Sequence, residues 1–339
     1  MGVPVYRGRD FLAASLDSLQ AQTHRDLRVI VALDVPDTED EAIARRYVGH
    51  DPRFELIVRS ERLGWARQIG RLMEAMANDS DFWCYHQQDD VLDPRYFETL
   101  VAHARAHTEA SLVFCDIEAF GEKSGPLVHA SVTGPPATRQ LLLMQDASNG
   151  VPFRGLARTE AVRVAGAIPL NSHEFFWSDV TWSAGMARAG ELHRVPRTLY
   201  RKRYHAQHEH GRWLKWPTER RHAAWVEHCV AMLEQAMVAP ATTVTDRRLL
   251  WLACVGRLLA SRIAEPYVEV SAFDAAERRS FAEALVSCAR ERPGLELATR
   301  LRWSWDAIRS AALEFVSGDA ARAARPTRPR GRLFRRTER

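Results

Sequence analysis

The chain has 339 residues, 46% of them hydrophobic and 27% charged, which excludes wholesale disorder and gives enough length to bury a core without staples. Its net charge of +4 hides an uneven distribution. Residues 321–339 hold eight Arg and one Glu, so the remainder, with 39 basic and 42 acidic residues, is slightly acidic and does not read as a nucleic-acid-binding body.

In chain order, Val3–Tyr6 reads as a short extended piece, and Phe11–Gln22 as an amphipathic helix with Leu12, Leu16 and Leu19 at helical spacing. The apolar run Leu27–Leu33 predicts a strand covered on both faces. Helix signals at 39–47, 64–77 and 94–107 alternate with strand signals at 54–58, 82–86 and 111–120. This rhythm predicts a mostly parallel sheet flanked by helices. Residues 121–150 read as irregular, Phe153–Ala157 as a returning strand and Ser178–Ala189 as a helix. From about Trp213 onward the pattern is helical, at 217–237, 245–264, 273–291 and 295–315. We therefore expect a first domain over 1–212, an α-helical region over 213–320 and a disordered basic tail over 321–339. Trp225, Trp251, Trp303 and Trp305 are expected in the core of the helical region.

Five scattered cysteines (Cys84, Cys115, Cys229, Cys254 and Cys288) without CxxC spacing fit a reducing compartment. The N-terminus lacks a signal-peptide pattern, and the apolar run 249–260 is too short for a membrane span and carries Arg257. The expected location is cytoplasmic. Only three of 47 cationic residues are Lys (Lys123, Lys202 and Lys215), which we read as GC-rich codon usage.

Ligands of an open α/β sheet bind at the carboxyl ends of its strands. Four clusters fall there: Pro4-Val5-Tyr6, Asp34, Gly64–Arg67, and Gln87-Gln88-Asp89-Asp90. Adjacent carboxylates at a strand end suit a hard divalent cation, although they also suit a turn or cap before the Pro94 helix.

Taken together, these pieces resemble the family-two glycosyltransferases of the GT-A fold. The resemblance runs from residue 3 to about 210 and rests on the order of Val3–Tyr6, Phe11–Thr23, the LRVIVALD segment ending in Asp34, Leu63–Arg67, Gln88–Pro94, Ser178-Asp179, Gly190, Val195-Pro196, Leu199-Tyr200 and Arg203-Tyr204-His205. It implies a GT-A-type nucleotide-sugar-binding sheet and an inverting transferase of bacterial type. Pro4, Tyr6, Asp34, Gly64, Arg67 and Asp89 would bind the donor nucleotide. Asp89, Asp90 and His205 would hold Mn²⁺ or Mg²⁺, and Asp179 would be the general base. Trp177, beside that base, is a candidate for stacking on an acceptor sugar.

The implied partners are a UDP- or dTDP-type sugar donor and a glycan or lipid-linked acceptor, in cell-surface polysaccharide or glycoconjugate synthesis. The Arg-rich tail would hold the protein at the inner face of the membrane; its alternative is a solvated tail without a partner. Asp179 also suits a simple helix N-terminal charge, His205 a chance His-rich run, and Trp177 ordinary packing.

The sequence departs from the family pattern at Gln87, where the first Asp of the acidic motif is usual, and at Ser178, where Glu is usual. These departures motivate an alternative, a catalytically degenerate nucleotide-sugar-binding or scaffold protein. A nucleotidyltransferase is disfavoured, because no Gly-rich phosphate loop with a following Lys is present. The chain also begins two residues before its first strand, short of the family's usual start.

Overall fold

The computed structural model describes residues 1–76, 79–145, 149–205 and 209–292, with residues 295, 309–310 and 313–314. The expected basic tail, Trp303 and Trp305 lie outside the described residues, as does most of the expected helix 295–315.

The first half alternates as the sequence predicts: β1 (Gly2–Val5), α1 (Leu12–Gln20), β2 (Val29–Asp34), α2 (Thr38–His50), β3 (Phe54–Arg59), α3 (Trp65–Met76), β4 (Phe82–Cys84), β5 (Val91–Leu92), α4 (Tyr96–Ala106) and β6 (Ala110–Gly121). Next come β7 (Gly125–Leu127), α5 (Pro136–Met144), β8 (Leu156–Arg158), α6 (Thr159–Ala165), α7 (Ser178–Ala189) and β9 (Glu191–Tyr204). The helical region holds α8 (Glu209–Trp213), α9 (Thr218–Met237), α10 (Val244–Ala260), α11 (Glu265–Val268) and α12 (Ala275–Arg290).

The strands β1, β2 and β3 form a parallel sheet with β2 central. All six β2 residues are buried, which explains its unbroken apolar run. Leu12, Leu16 and Leu19 of α1 are buried as their spacing requires, and α3 buries Ala66, Ile69, Leu72, Met73 and Met76 while leaving Arg67 outside.

A second sheet, ordered β4-β8-β6-β9-β5 with β7 on β6, continues the first. The join is a parallel bridge between Gly2 and Tyr85. Its one parallel pair is β6–β9; the other pairs are antiparallel, because β5, β7 and β8 are short returning strands. Between Cys115–Val195 and Asp116–Thr198 the register jumps, and Pro196 sits in that bulge, where its missing N–H is tolerated. Residues 136–144, expected to be irregular, form α5, which Pro136 opens at a favoured first-turn position.

The helical region packs on the first domain through one continuous apolar core. Trp225 and Trp251 are buried, as expected. Losing a fully buried Trp of this kind typically costs about 3–5 kcal/mol. Arg257, embedded in the apolar run of α10, donates to the Leu143 and Gln145 carbonyls at the end of α5 and lies 5.3 Å from the Trp225 ring centroid. Among the described residues, no helix is long and apolar enough to cross a membrane.

Candidate active site at the strand ends

The carboxyl ends of β1 to β4 open on a cavity of about 770 Å³. At its floor, Asp34 closes β2 and is almost fully buried. Its two oxygens accept the Leu63 and Gly64 N–H groups, each at 2.8 Å, so the carboxylate fixes the loop after β3. Gly64 has φ +77°, a left-handed conformation that disfavours side chains. Tyr6 is tied to the β4 end by reciprocal bonds with Gln88: Tyr6 N–H donates to Oε1 at 2.8 Å, and Nε2 donates to the Tyr6 carbonyl at 2.9 Å. The Arg62 guanidinium lies 4.1 Å from the Tyr6 ring centroid, giving the rim a cation over an aromatic face.

Asp89 and Asp90 diverge. Asp89 lines the cavity and meets His205, whose Nε2 is 2.9 Å from Asp89 Oδ2. Asp89 Oδ1 is buried and has no hydrogen-bond partner among the described residues. Asp90 faces inward instead. It accepts the Tyr200 O–H at 2.7 Å and the Arg203 N–H at 2.8 Å, and Arg154 Nε is 3.6 Å from Oδ2. Burial, then the adjacent Asp89 charge, pushes the Asp90 carboxyl up to about 6. Neither carboxylate caps α4; Asp93 makes the turn there, accepting the Arg95 N–H at 2.9 Å.

Two cations face this end. Arg154 is buried, donating to the Gly150 carbonyl at 3.0 Å and to Gln87 Oε1 at 3.1 Å. Lys202, also buried, lines the cavity with its ammonium 4.7 Å from the Tyr204 ring centroid. Burial, reinforced by the Arg154 charge, pushes Lys202 down to about 7.

Asp179 lies in the first turn of α7 and lines the same cavity. Its Oδ1 accepts the Val180 N–H at 2.9 Å. A Cβ built at Gly150 would collide with Asp179 Oδ2, so a larger residue there would turn the carboxylate away from its present position. The segment leading to α7 is strained: Glu174, Phe175 and Trp177 have φ of 50°, 60° and 55°. Such conformations in non-glycine residues persist where the surrounding packing enforces them, and they concentrate at functional sites. Trp177 lines the cavity but is only 6% exposed, its ring packed near Trp225, His228 and Tyr267. The helical region supplies Ile263, Pro266 and Tyr267 to the same cavity, a contribution its sequence did not disclose.

Eight of the ten residues expected at the site line this one cavity: Pro4, Tyr6, Asp34, Gly64, Asp89, Trp177, Asp179 and His205. Two expectations need correction. Arg67 is on the solvent face of α3, away from the cavity, because its neighbours Ala66 and Gln68 take the buried positions; Arg62 supplies a rim cation instead. Asp90 does not face a metal position, because protein donors occupy both its oxygens. Sequence reasoning missed Lys202 and Arg154. The signal for Lys202 was available, since it is one of only three lysines. Arg154 had none, being one Arg among many.

Residues 2–165 match the sequence profile of Glycosyl transferase family 2. Over 131 residues the chain is 28% identical to EpsH of Bacillus subtilis (strain 168), named as a glycosyltransferase; the match covers 38% of this chain and 36% of that protein. The fold is similar to that of S. aureus TarS residues 1–349 in complex with UDP-GlcNAc (TM-score 0.65, 11% identity, 95% of this chain and 91% of that one). It is also similar to the mannosyltransferase PcManGT of Pyrobaculum calidifontis in complex with GDP-Man and Mn²⁺ (TM-score 0.51, 16% identity, 95% and 86%). With a parallel sheet, flanking helices and a helical C-terminal region, the fold is of the GT-A type, and residues 2–165, just under half of the chain, match glycosyl transferase family 2.

Proposed function

We propose that this protein transfers a sugar from a nucleoside-diphosphate donor to a hydroxyl acceptor in one displacement, with inversion at the anomeric carbon. The observation that carries the reading is one cavity lined by the Asp89–His205 pair, by the buried cation Lys202 and by a further carboxylate, Asp179. The complexes of TarS with UDP-GlcNAc and of PcManGT with GDP-Man support a nucleotide-sugar donor.

Tyr6, Arg62, Asp34 and Gly64 form the pocket for the nucleoside. Lys202 faces the diphosphate and stabilises the charge that grows on it as the glycosidic bond breaks. Asp179 accepts the acceptor's hydroxyl proton as that oxygen attacks the opposite face of the sugar, and Gly150 keeps space for it. Trp177 contributes an aromatic surface for the acceptor.

The donor set fits a divalent cation. The orphaned Asp89 Oδ1 is a buried acceptor of the kind a cation satisfies, and the His205 imidazole beside it favours Mn²⁺ over Mg²⁺. Asp89 and His205 would hold the ion, which would supply further charge neutralisation for the leaving diphosphate. We place the division of labour near residue 212, with the chemistry before it and part of the acceptor wall after it. The setting we infer is glycan or lipid-linked acceptor synthesis at the inner face of a bacterial membrane, with the Arg-rich tail as the contact.

A second reading, a protein that binds the donor without turnover, is favoured by Gln87, whose oxygen is engaged by Arg154, and by Ser178. A thermal-shift screen of nucleotide sugars with and without Mn²⁺, followed by assay of transfer and hydrolysis with each stabilising donor, separates the two. Stabilisation with turnover supports the transferase; stabilisation without it supports the binding protein.

A further inference from the structure

Far from the cavity, at the other end of the 14-residue strand β9, three histidines converge. His103 and His107 lie one helical turn apart at the end of α4, and their rings stack with centroids 4.3 Å apart. His193, near the start of β9, meets both, with ring centroids 5.5 Å and 5.1 Å away. One ligand nitrogen from each of the three lies within 4.8 Å of the others.

The hydrogen bonds around the cluster assign its nitrogens. His193 Nε2 is 2.8 Å from Glu191 Oε2, so it carries the proton and Nδ1 presents a lone pair. Glu191 is itself anchored, accepting the Gly134 N–H at 2.8 Å through its other oxygen. His107 Nδ1 is 3.1 Å from Glu109 Oε1, which leaves His107 Nε2 as the second free lone pair. His103 Nε2 faces His193 Nδ1 at 3.3 Å. That is long for a hydrogen bond between ring nitrogens. It matches the edge of a tetrahedron around Zn²⁺, which is about 3.3–3.4 Å for Zn–N bonds of about 2.0–2.1 Å. Carboxylates behind the imidazoles are the usual outer partners of zinc-bound histidine. His107 and Glu109, with side chains 43% and 52% exposed, leave an entry path from solvent.

We propose that His103, His107 and His193 form a binding site for a borderline divalent transition ion, Zn²⁺ by ligand type, with Glu191 and Glu109 orienting His193 and His107 from outside. Bound there, the ion ties the end of α4 to the start of β9. The inference is independent of the proposed transferase reaction, since none of the three histidines lines the cavity.

The test uses the full chain without a histidine tag, stripped with chelator, in a background carrying Asp89→Ala and His205→Ala so that no ion is held in the cavity. Zn²⁺ is titrated in competition with a chromophoric chelator, and Co²⁺ is added separately to read coordination from its visible spectrum. One tight equivalent of Zn²⁺ and intense tetrahedral Co²⁺ bands are expected. His193→Ala should weaken binding by more than about 100-fold, and Glu191→Gln by about 10–100-fold. His107→Ala, at a solvent-exposed position where folding is not at risk, should also remove the tetrahedral spectrum. Zn²⁺ affinity unchanged by His107→Ala and His193→Ala, or tight binding absent from the Asp89→Ala, His205→Ala background, would overturn the proposal.

Discussion

Asp89 and Asp90 are adjacent in sequence, yet the structure gives them opposite tasks, and paired substitutions separate these. In Asp90→Asn the amide keeps one acceptor oxygen, while its NH₂ faces one of the two donors, Tyr200 or Arg203, and the Arg154 cation 3.6 Å away loses its buried counter-charge. Removing one partner of a buried ion pair costs about 3–5 kcal/mol, and a stranded buried donor about 1–3 kcal/mol. These contributions overlap, so the expected loss is about 3–5 kcal/mol. Against a total stability of about 5–15 kcal/mol, that is a third or more. In Asp89→Asn no donor is stranded on Oδ1, and the amide oxygen can still accept from the partly exposed His205, so stability should fall by about 1 kcal/mol or less. Urea unfolding followed by Trp fluorescence gives the first quantity, and calorimetric titration of donor with Mn²⁺ gives the second. Asp90→Asn should unfold at markedly lower urea. Asp89→Asn should unfold near the parent midpoint and lose the Mn²⁺-dependent part of donor binding. Equal stability losses, or unchanged Mn²⁺-dependent binding in Asp89→Asn, would refute the reasoning.

Gly150→Ala places a Cβ against Asp179 Oδ2 and should lower turnover by about 10²-fold, the effect of a misplaced catalytic group, with little change in stability because the carboxylate can rotate aside; steady-state kinetics beside urea unfolding measures both. Lys202 sits at about 7 in the fold against an ordinary 10.5, so its positive charge facing the donor fades as pH rises through 7. Donor affinity should therefore fall above pH 7, and Lys202→Arg, which stays charged, should flatten that fall. On the stability side, the unfolded chain holds more protons than the native one between pH 7 and 10.5, so this residue's contribution to stability improves with rising pH across that window, and Lys202→Met should remove the slope in urea titrations. For the tail, flotation with anionic liposomes should recover the full chain and lose a chain ending at residue 320, each Arg near the surface contributing about 1 kcal/mol at low salt; equal recovery would remove the membrane contact from the proposal.

Much of the fold was legible because it rests on periodicity. The fully apolar β2 run and the leucine spacing of α1 reflect burial that leaves few alternatives. The strand-end rule then placed Tyr6, Asp34, Gly64 and Asp89 on one cavity without side-chain detail. What failed depends on rotation about a single element. Arg67 and Gln68 differ by one position on α3, and that step of about 100° decides which faces the cavity. The divergence of Asp89 and Asp90 follows from donors more than 100 residues away, Tyr200 and Arg203, which no local pattern encodes. The histidine cluster is similar: His103 and His107 show helical spacing, but His193 joins them only through the pairing of β9 with β6.

The central claim is tested most directly by incubating the chain and its Asp179→Asn variant with Mn²⁺, an acceptor and each donor found in the thermal-shift screen, then determining rate and anomeric configuration of the product. The account predicts an inverted linkage from the parent chain and, in the variant, a rate lower by about 10²–10⁴-fold with donor affinity nearly intact. A retained configuration, or an Asp179→Asn variant as fast as the parent chain, would contradict it.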